Sequence, residues 1–281
     1  MYPRRKKYTP KPFVRRSQKP RTAPRRKYTS KKVIKRVVRA VVSRQAEKKS
    51  VVYSSTLSLG TLQPTTSSLV GNYMVITPSQ SSFGYTIAKG TDDNQRIGNQ
   101  INIKTLRHTF VCIVNPYNAT TNTQQRPCFI RFYYFKSKWS PVADVATGNV
   151  CGVNANFFDN SSSDTGFSGA LMDLTRKIQS QNYTYLCHRT FKIGNSQPAA
   201  GMATSSIQAN QTSNDFKMSM IGKVNLARFC KSKFTFNDAN QVMNPWIHCL
   251  MQVMAADGSV ISTTQSQVSI QSQIYCEYTD E

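Results

Sequence analysis

Between Ser50 and Glu281 apolar and polar residues alternate in short runs, and before Val33 they do not. VSIQSQIYCEY sets Val268, Ile270, Ile274, Cys276 and Tyr278 against Ser269, Gln271, Gln273 and Glu277. A period of two marks strands with one covered face. TYLCHRTFKI sets Leu186, His188 and Thr190 against Tyr185, Cys187, Arg189 and Phe191. INIKTLRHTFVCIV alternates through Ile101 and Ile103, slips near Thr105 and resumes at Leu106, Phe110, Cys112 and Val114, which predicts a β-bulge. Further strands are predicted at VVYSSTLSL from Val51, LVGNYMVI from Leu69 and CFIRFYYFK from Cys128. KMSMIGKVNLARF from Lys217, WIHCLMQVMA from Trp246 and VIST from Val260 complete them. CFIRFYYFK and WIHCLMQVM are apolar on both faces and predict strands covered on two sides.

Asp257-Gly258 between apolar runs predicts a hairpin. GALMDLTRKI, Gly169–Ile178, predicts the one short helix of this part. Long connections rich in Ser, Thr, Asn and Gln separate the runs. About eight to ten strands of this kind fit an all-β fold, a single jelly-roll β-sandwich over residues 50–281.

Residues 1–49 follow different physics. They hold 20 of the 37 Lys and Arg residues against Glu47 alone, or +19; the remainder carries 17 cations and 12 acids, or +5, for a total of +24. Five prolines and a near absence of aliphatic residues before Val33 predict a disordered basic arm, because too little apolar surface exists to offset ordering entropy. Its charge calls for a polyanion. Arg4, Arg5, Lys6, Lys7, Lys11, Arg15, Arg16, Lys19, Arg21, Arg25, Arg26, Lys27 and Lys31 are the expected phosphate contacts, binding by counterion release without reading sequence. Tyr2, Tyr8, Phe13 and Tyr28 add rings that stack on unpaired bases. A nuclear-import signal is a compatible second use.

The end of the arm, SKKVIKRVVRAVVSRQAE, places Val33/Ile34, Val37/Val38 and Val41/Val42 on one half of a helix. Lys32, Lys35, Arg36 and Arg39 gather on the other half and extend the phosphate contact. Five Val and one Ile form helices poorly, so a partner has to stabilise it: nucleic acid, a neighbouring subunit or an anionic membrane.

Catalytic signatures are missing. There is no GxxxxGK[ST], and GFSG at Gly166 lacks the last glycine of a nucleophile elbow. His108, His188 and His248 each fall inside a strand pattern and read as core or sheet-face residues. Cys187 and His188 point to opposite faces, so they form no nucleophile–base pair. The seven cysteines, at 112, 128, 151, 187, 230, 249 and 276, show no CxxC spacing and predict reduced thiols. No run approaches the length of a membrane span, and no secretory signal is expected. The matches to Asn-x-Ser/Thr at Asn118, Asn160, Asn182 and Asn210 then read as chance. No enzyme, metal or cofactor is expected.

A basic arm, a valine-rich basic helix and one antiparallel β domain resemble a viral coat protein. More narrowly, RRKK at Arg4, RRK at Arg25, QRIGNQINIKTLRHTF from Gln95 and the order of strands and loops resemble capsid proteins of circular single-stranded DNA viruses that encode their own replication initiator, the circovirus and cyclovirus type. The resemblance implies a jelly roll that assembles as a homo-oligomer of about sixty copies into an icosahedral shell. It further implies inward arms packaging a single-stranded DNA genome, use of the host nuclear-import machinery, and polar loops that meet other subunits and a host-cell receptor. About sixty arms at +19 supply on the order of 1,100 positive charges, comparable to a small single-stranded genome. Small RNA viruses share this logic, so RNA stays open as the cargo, as does a cellular nucleic-acid-binding β-domain protein. Deleting residues 1–49 is expected to abolish packaging and leave the body folded.

Overall fold

The computed structural model describes residues 34, 35, 37, 47–59, 72–79, 84–115, 127–138, 157–159, 167–194, 218–230, 233–238, 240–259, 261 and 266–280. The strands among them are β1 (Lys48–Leu59), β2 (Tyr73–Val75), β3 (Gln100–Val114), β4 (Cys128–Ser137), β5 (Tyr183–Ile193), β6 (Ser219–Asn225), β7 (Phe234–Thr235), β8 (Ile247–Ala255) and β9 (Val268–Asp280). They form two antiparallel sheets. Sheet A runs β1-β9-β3-β6 with β7 paired to β3, and sheet B runs β2-β8-β4-β5. The chain divides into two units, Met1–Gln45 and Ala46–Glu281, and every strand belongs to the second.

The alternation read from the sequence is the burial pattern of sheet A. In β9 Val268, Ile270, Ile274, Cys276 and Tyr278 are buried, whereas Gln271 and Gln273 are exposed. The slip in β3 is real: pairing with β9 shifts between Ile103 and Thr105, which leaves Lys104 as the extra, exposed residue. Without that bulge Ile101 and Ile103 would face the side opposite to Leu106, His108 and Phe110.

The sheets pack through aromatic and polar contacts. Phe110 of β3 stacks on Phe132 of β4 with ring centroids 4.1 Å apart. His108 Nδ1 is 2.8 Å from Tyr134 Oη of sheet B, and its Nε2 is 2.5 Å from Ser272 Oγ of sheet A. Both ring nitrogens of a fully buried histidine are therefore satisfied, as a buried polar group requires. Gly222, opposite Phe110 on β6, admits the ring: a Cβ there would lie 2.3 Å from Phe110 Cζ.

Sheet B is covered twice. All nine residues of β8 are buried, as its two-faced apolarity predicts. Its outer face meets Phe157, Phe158 and Phe167, each fully buried; the Phe157 ring lies 5.4 Å from that of Tyr133 and 5.1 Å from that of Phe135. Asp173 ties this cover down. Its carboxylate accepts from the amides of Ser168 (3.0 Å) and Gly169 (3.1 Å), from Ser168 Oγ (2.8 Å) and from Gln252 Nε2 of β8 (2.5 Å).

Several local expectations are corrected. Gly169–Ile178 is no α-helix, since only Leu171–Leu174 form a 3₁₀ turn. The buried carboxylate of Asp173 draws the preceding amides into a tight loop, and Gly169 supplies a φ of 75°. Of the run from Leu69, the described residues place Tyr73–Val75 in a strand, β2. The run from Lys217 ends at Asn225, whose Oδ1 accepts from Ala227 N and starts a 3₁₀ turn, Ala227–Phe229. Asp257-Gly258 does turn, with Gly258 at φ 80° and Asp257 Oδ1 accepting from Ser259 N; the second strand of the expected hairpin lies largely outside the described residues. VIST lies largely outside the described residues, as do the sequons at Asn118, Asn160 and Asn210.

The segment QRIGN closes one end of the sandwich. Arg96 is fully buried; its Nη1 donates to Gly98 O (2.5 Å) and Asn99 Oδ1 (3.2 Å), its Nη2 to Asn240 Oδ1, and its guanidinium lies 4.1 Å over the Phe236 ring. Next to it Lys49 Nζ donates to Gln95 O (2.8 Å) and pairs with Asp280 Oδ2 (3.3 Å), which also accepts from Ile97 N. Lys48 and Lys49, grouped with the arm by charge, thus stand in β1, and Lys49 ties the first strand to the last.

Candidate nucleic-acid interface

Of the arm residues expected to hold phosphate, Lys35 alone lies among the described residues. It is helical and exposed, together with Ile34 and Val37. Ile34 and Val37 stand three apart, so they share a helix face, and they are 59% and 55% exposed. The other cations, from Arg4 to Lys32 and at Arg36 and Arg39, lie outside the described residues.

On the body the structure gathers charge that looks scattered along the chain. β4 supplies Arg131 and Tyr133, β5 supplies Tyr185 and His188, and the segment after the 3₁₀ turn supplies Leu174 through Ile178; together they line an open cavity of about 350 Å³. The positioning is specific. Arg131 Nε donates to Thr190 Oγ1 (2.8 Å) and its Nη1 to Leu174 O (2.6 Å), so the guanidinium bridges β5 and the covering segment. Arg176 Nη1 pairs with Asp173 Oδ1 at 3.3 Å, which compensates the buried carboxylate. Lys177 is exposed. Counting the Arg176–Asp173 pair as neutral, Arg131 and Lys177 leave the cavity with two positive charges.

Strict alternation would keep Tyr185 and His188 apart. The register between β4 and β5 shifts between Tyr134 and Phe135: Tyr134 pairs with Cys187 but Phe135 with Tyr185. Leu186 is the extra residue, and the bulge turns Tyr185 to the same side as His188, where Tyr185 Oη bonds His188 Nδ1. Cys187 stays on the opposite side. Partial burial and the cations Arg131 and Arg189 hold the His188 imidazole below its ordinary pKa, so it is neutral at pH 7. Tyr185 is 47% exposed.

Sheet A presents the opposite chemistry. Its outer face is made of cross-strand rows, Ser54–Gln273–Thr109–Lys223 and Thr56–Gln271–Val111–Ile221. A shallow groove of about 450 Å³ there is lined by Ser54, Thr56, Thr109, Gln271 and Gln273 and by no charged residue.

The remaining candidate chemistry is structural. Burial pushes the thiols of Cys112 and Cys276 up to about 12 and that of Cys230 to about 11, so they remain protonated and unreactive at neutral pH. Among the described residues no three His, Cys, Asp or Glu side chains gather to hold a metal ion. Neither known family models nor curated proteins contain a match to this chain. The sequence reading dispersed the body's charge and missed this cavity. The available signal was Arg131, a charge set between the aromatic residues of CFIRFYYFK.

Proposed function

We propose that this chain is the structural capsid protein of a small virus, with a jelly-roll body that assembles into a closed shell and a basic arm that packages a single-stranded DNA genome. The observation that carries the reading is the pairing order of the body. With β7 set aside, β1 pairs with β9, β2 with β8, β3 with β6 and β4 with β5. This nested set is the one expected when a long antiparallel ribbon is rolled on itself, and it supports a jelly roll, an architecture common in viral shells. The charge partition supports the division of labour: the arm at +19 binds phosphate, while the body at +5 builds the wall. The arm cations from Arg4 to Arg39 neutralise the genome, and the same cluster serves nuclear import in the host.

The test is electron microscopy of the purified full-length protein beside a variant lacking residues 1–45, the cut that spares the Lys49–Asp280 ion pair. Full-length protein is expected to form uniform shells whose cargo resists nuclease and, once released, is digested by DNase. The truncated protein is expected to keep its thermal unfolding transition and lose the cargo. Monomers that bind nucleic acid without assembling would overturn the capsid reading, and RNase-sensitive cargo would replace DNA by RNA.

A further inference from the structure

Resting on that reading, we infer that the cavity lined by Arg131, Lys177, Tyr185 and His188 is a second contact for the same cargo and seats one nucleotide of an unpaired strand. The arm can supply only diffuse charge, whereas this cavity has the parts of a shaped site. Its volume of about 350 Å³ falls at the small end of pockets that hold single ligands. Arg131 is held on two elements by its bonds to Thr190 and Leu174, so its planar fork is fixed before a ligand arrives. A phosphate ester placed against that fork and the Lys177 ammonium meets two uncompensated positive charges. No acid lines the cavity; Asp173, the partner of Arg176, is fully buried and already holds Arg176, Gln252 and two backbone amides. Asp159 fixes the backbone of this segment, its amide donating to Lys177 O at 2.7 Å.

The rings supply the other half of the recognition. The bulge at Leu186 brings the Tyr185 and His188 rings to one side with centroids 5.9 Å apart, and their mutual hydrogen bond fixes both. The exposed Tyr185 ring offers a stacking platform for a base, which every base can use without sequence readout. The groove on sheet A lacks these parts, since it is lined by Ser, Thr and Gln side chains with Phe110 and Val111 and by no charged residue.

The experiment is ultraviolet crosslinking of the full-length protein to an oligothymidylate, with adducts mapped by peptide mass spectrometry. Adducts are expected in the arm and on the β5 peptide that holds Tyr185 and His188. Lys177→Glu is expected to lower the β5 adduct about fivefold at unchanged arm adducts, and Tyr185→Ser to lower it about tenfold. Thermal melts of both variants control for folding; Lys177 is exposed, so its substitution leaves the core intact. Adducts confined to the arm would overturn this inference and leave the proposed function standing, whereas adducts nowhere would overturn both. Displacement of the β5 adduct by a sulfated polysaccharide at lower concentration than by competing oligonucleotide would also overturn it, and would assign the cavity to an acidic sugar.

Discussion

The two sheets share a fold and differ in what covers them. Sheet A buries one face and shows water a mixed surface in which Ser, Thr and Gln rows run out to Lys223 and Ile221. Sheet B is buried on both faces along β8 and most of β4, its outer face under three phenylalanines and a turn anchored by Asp173, while its edge strand β5 stays largely exposed. The covered sheet is where charge had to be placed with care. Asp173 is buried against it, Arg176 answers that charge, and Arg131 emerges from the aromatic strand at the edge of the cover. A shaped basic cavity is the by-product of covering a sheet twice. The open sheet needed no such arrangement, and the groove at its centre carries no charge.

That contrast is broken most directly at Asp173. Asp173→Ala removes the carboxylate that gathers two amides, Ser168 Oγ, Gln252 and Arg176, and takes the acceptor of the buried Gln252 side-chain amide away. A loss of about 3–5 kcal/mol is expected, read by denaturant unfolding, and the phenylalanine cover should loosen in hydrogen exchange while sheet A stays protected. Equal loss of protection in both sheets would mean the cover is not a separate layer.

Acid probes the two layers next. His108 lies between the sheets and His248 between sheet B and its cover, and burial depresses the pKa of each to about 3. The unfolded chain takes up these protons near the ordinary value of 6.5, so stability is full above that pH and falls as pH drops from about 6.5 toward 3. Each histidine contributes a slope of about 1.4 kcal/mol per pH unit in that window. Melts across that range should show the decline, and His248→Asn should remove about half of the slope. A flat profile between pH 6.5 and 4 would show that neither imidazole is held neutral.

The smallest effect belongs to the open face. Gln273→Ala, in the middle of the outer row of sheet A, is expected to change stability by less than about 0.5 kcal/mol. A larger loss in isolated protein would reveal a contact on that face.

Legibility followed burial. Strands with one covered face, such as β9, were readable from alternation, and the bulge at Lys104 was visible as a break in phase. The bulge at Leu186 was not, because β5 is an edge strand with exposed residues on both sides and no apolar rhythm to interrupt. The turn at Asp257-Gly258 was legible as a turn, since a glycine there takes the left-handed φ of 80° at no steric cost.

Composition alone determined the partition of charge, +19 before Ser50 and +5 after Lys49, because it is a property of the chain and needs no partners. Alternation likewise determined most strand positions, since a strand must sort its side chains by face before it pairs. Tertiary structure decided what meets across the sandwich. The nested pairing of strands, the Lys49–Asp280 tie and the cavity of Arg131, Lys177, Tyr185 and His188 join residues far apart in the chain. Their energies exist only once loop-closure entropy has been overcome by a shared core, so no local pattern announces them.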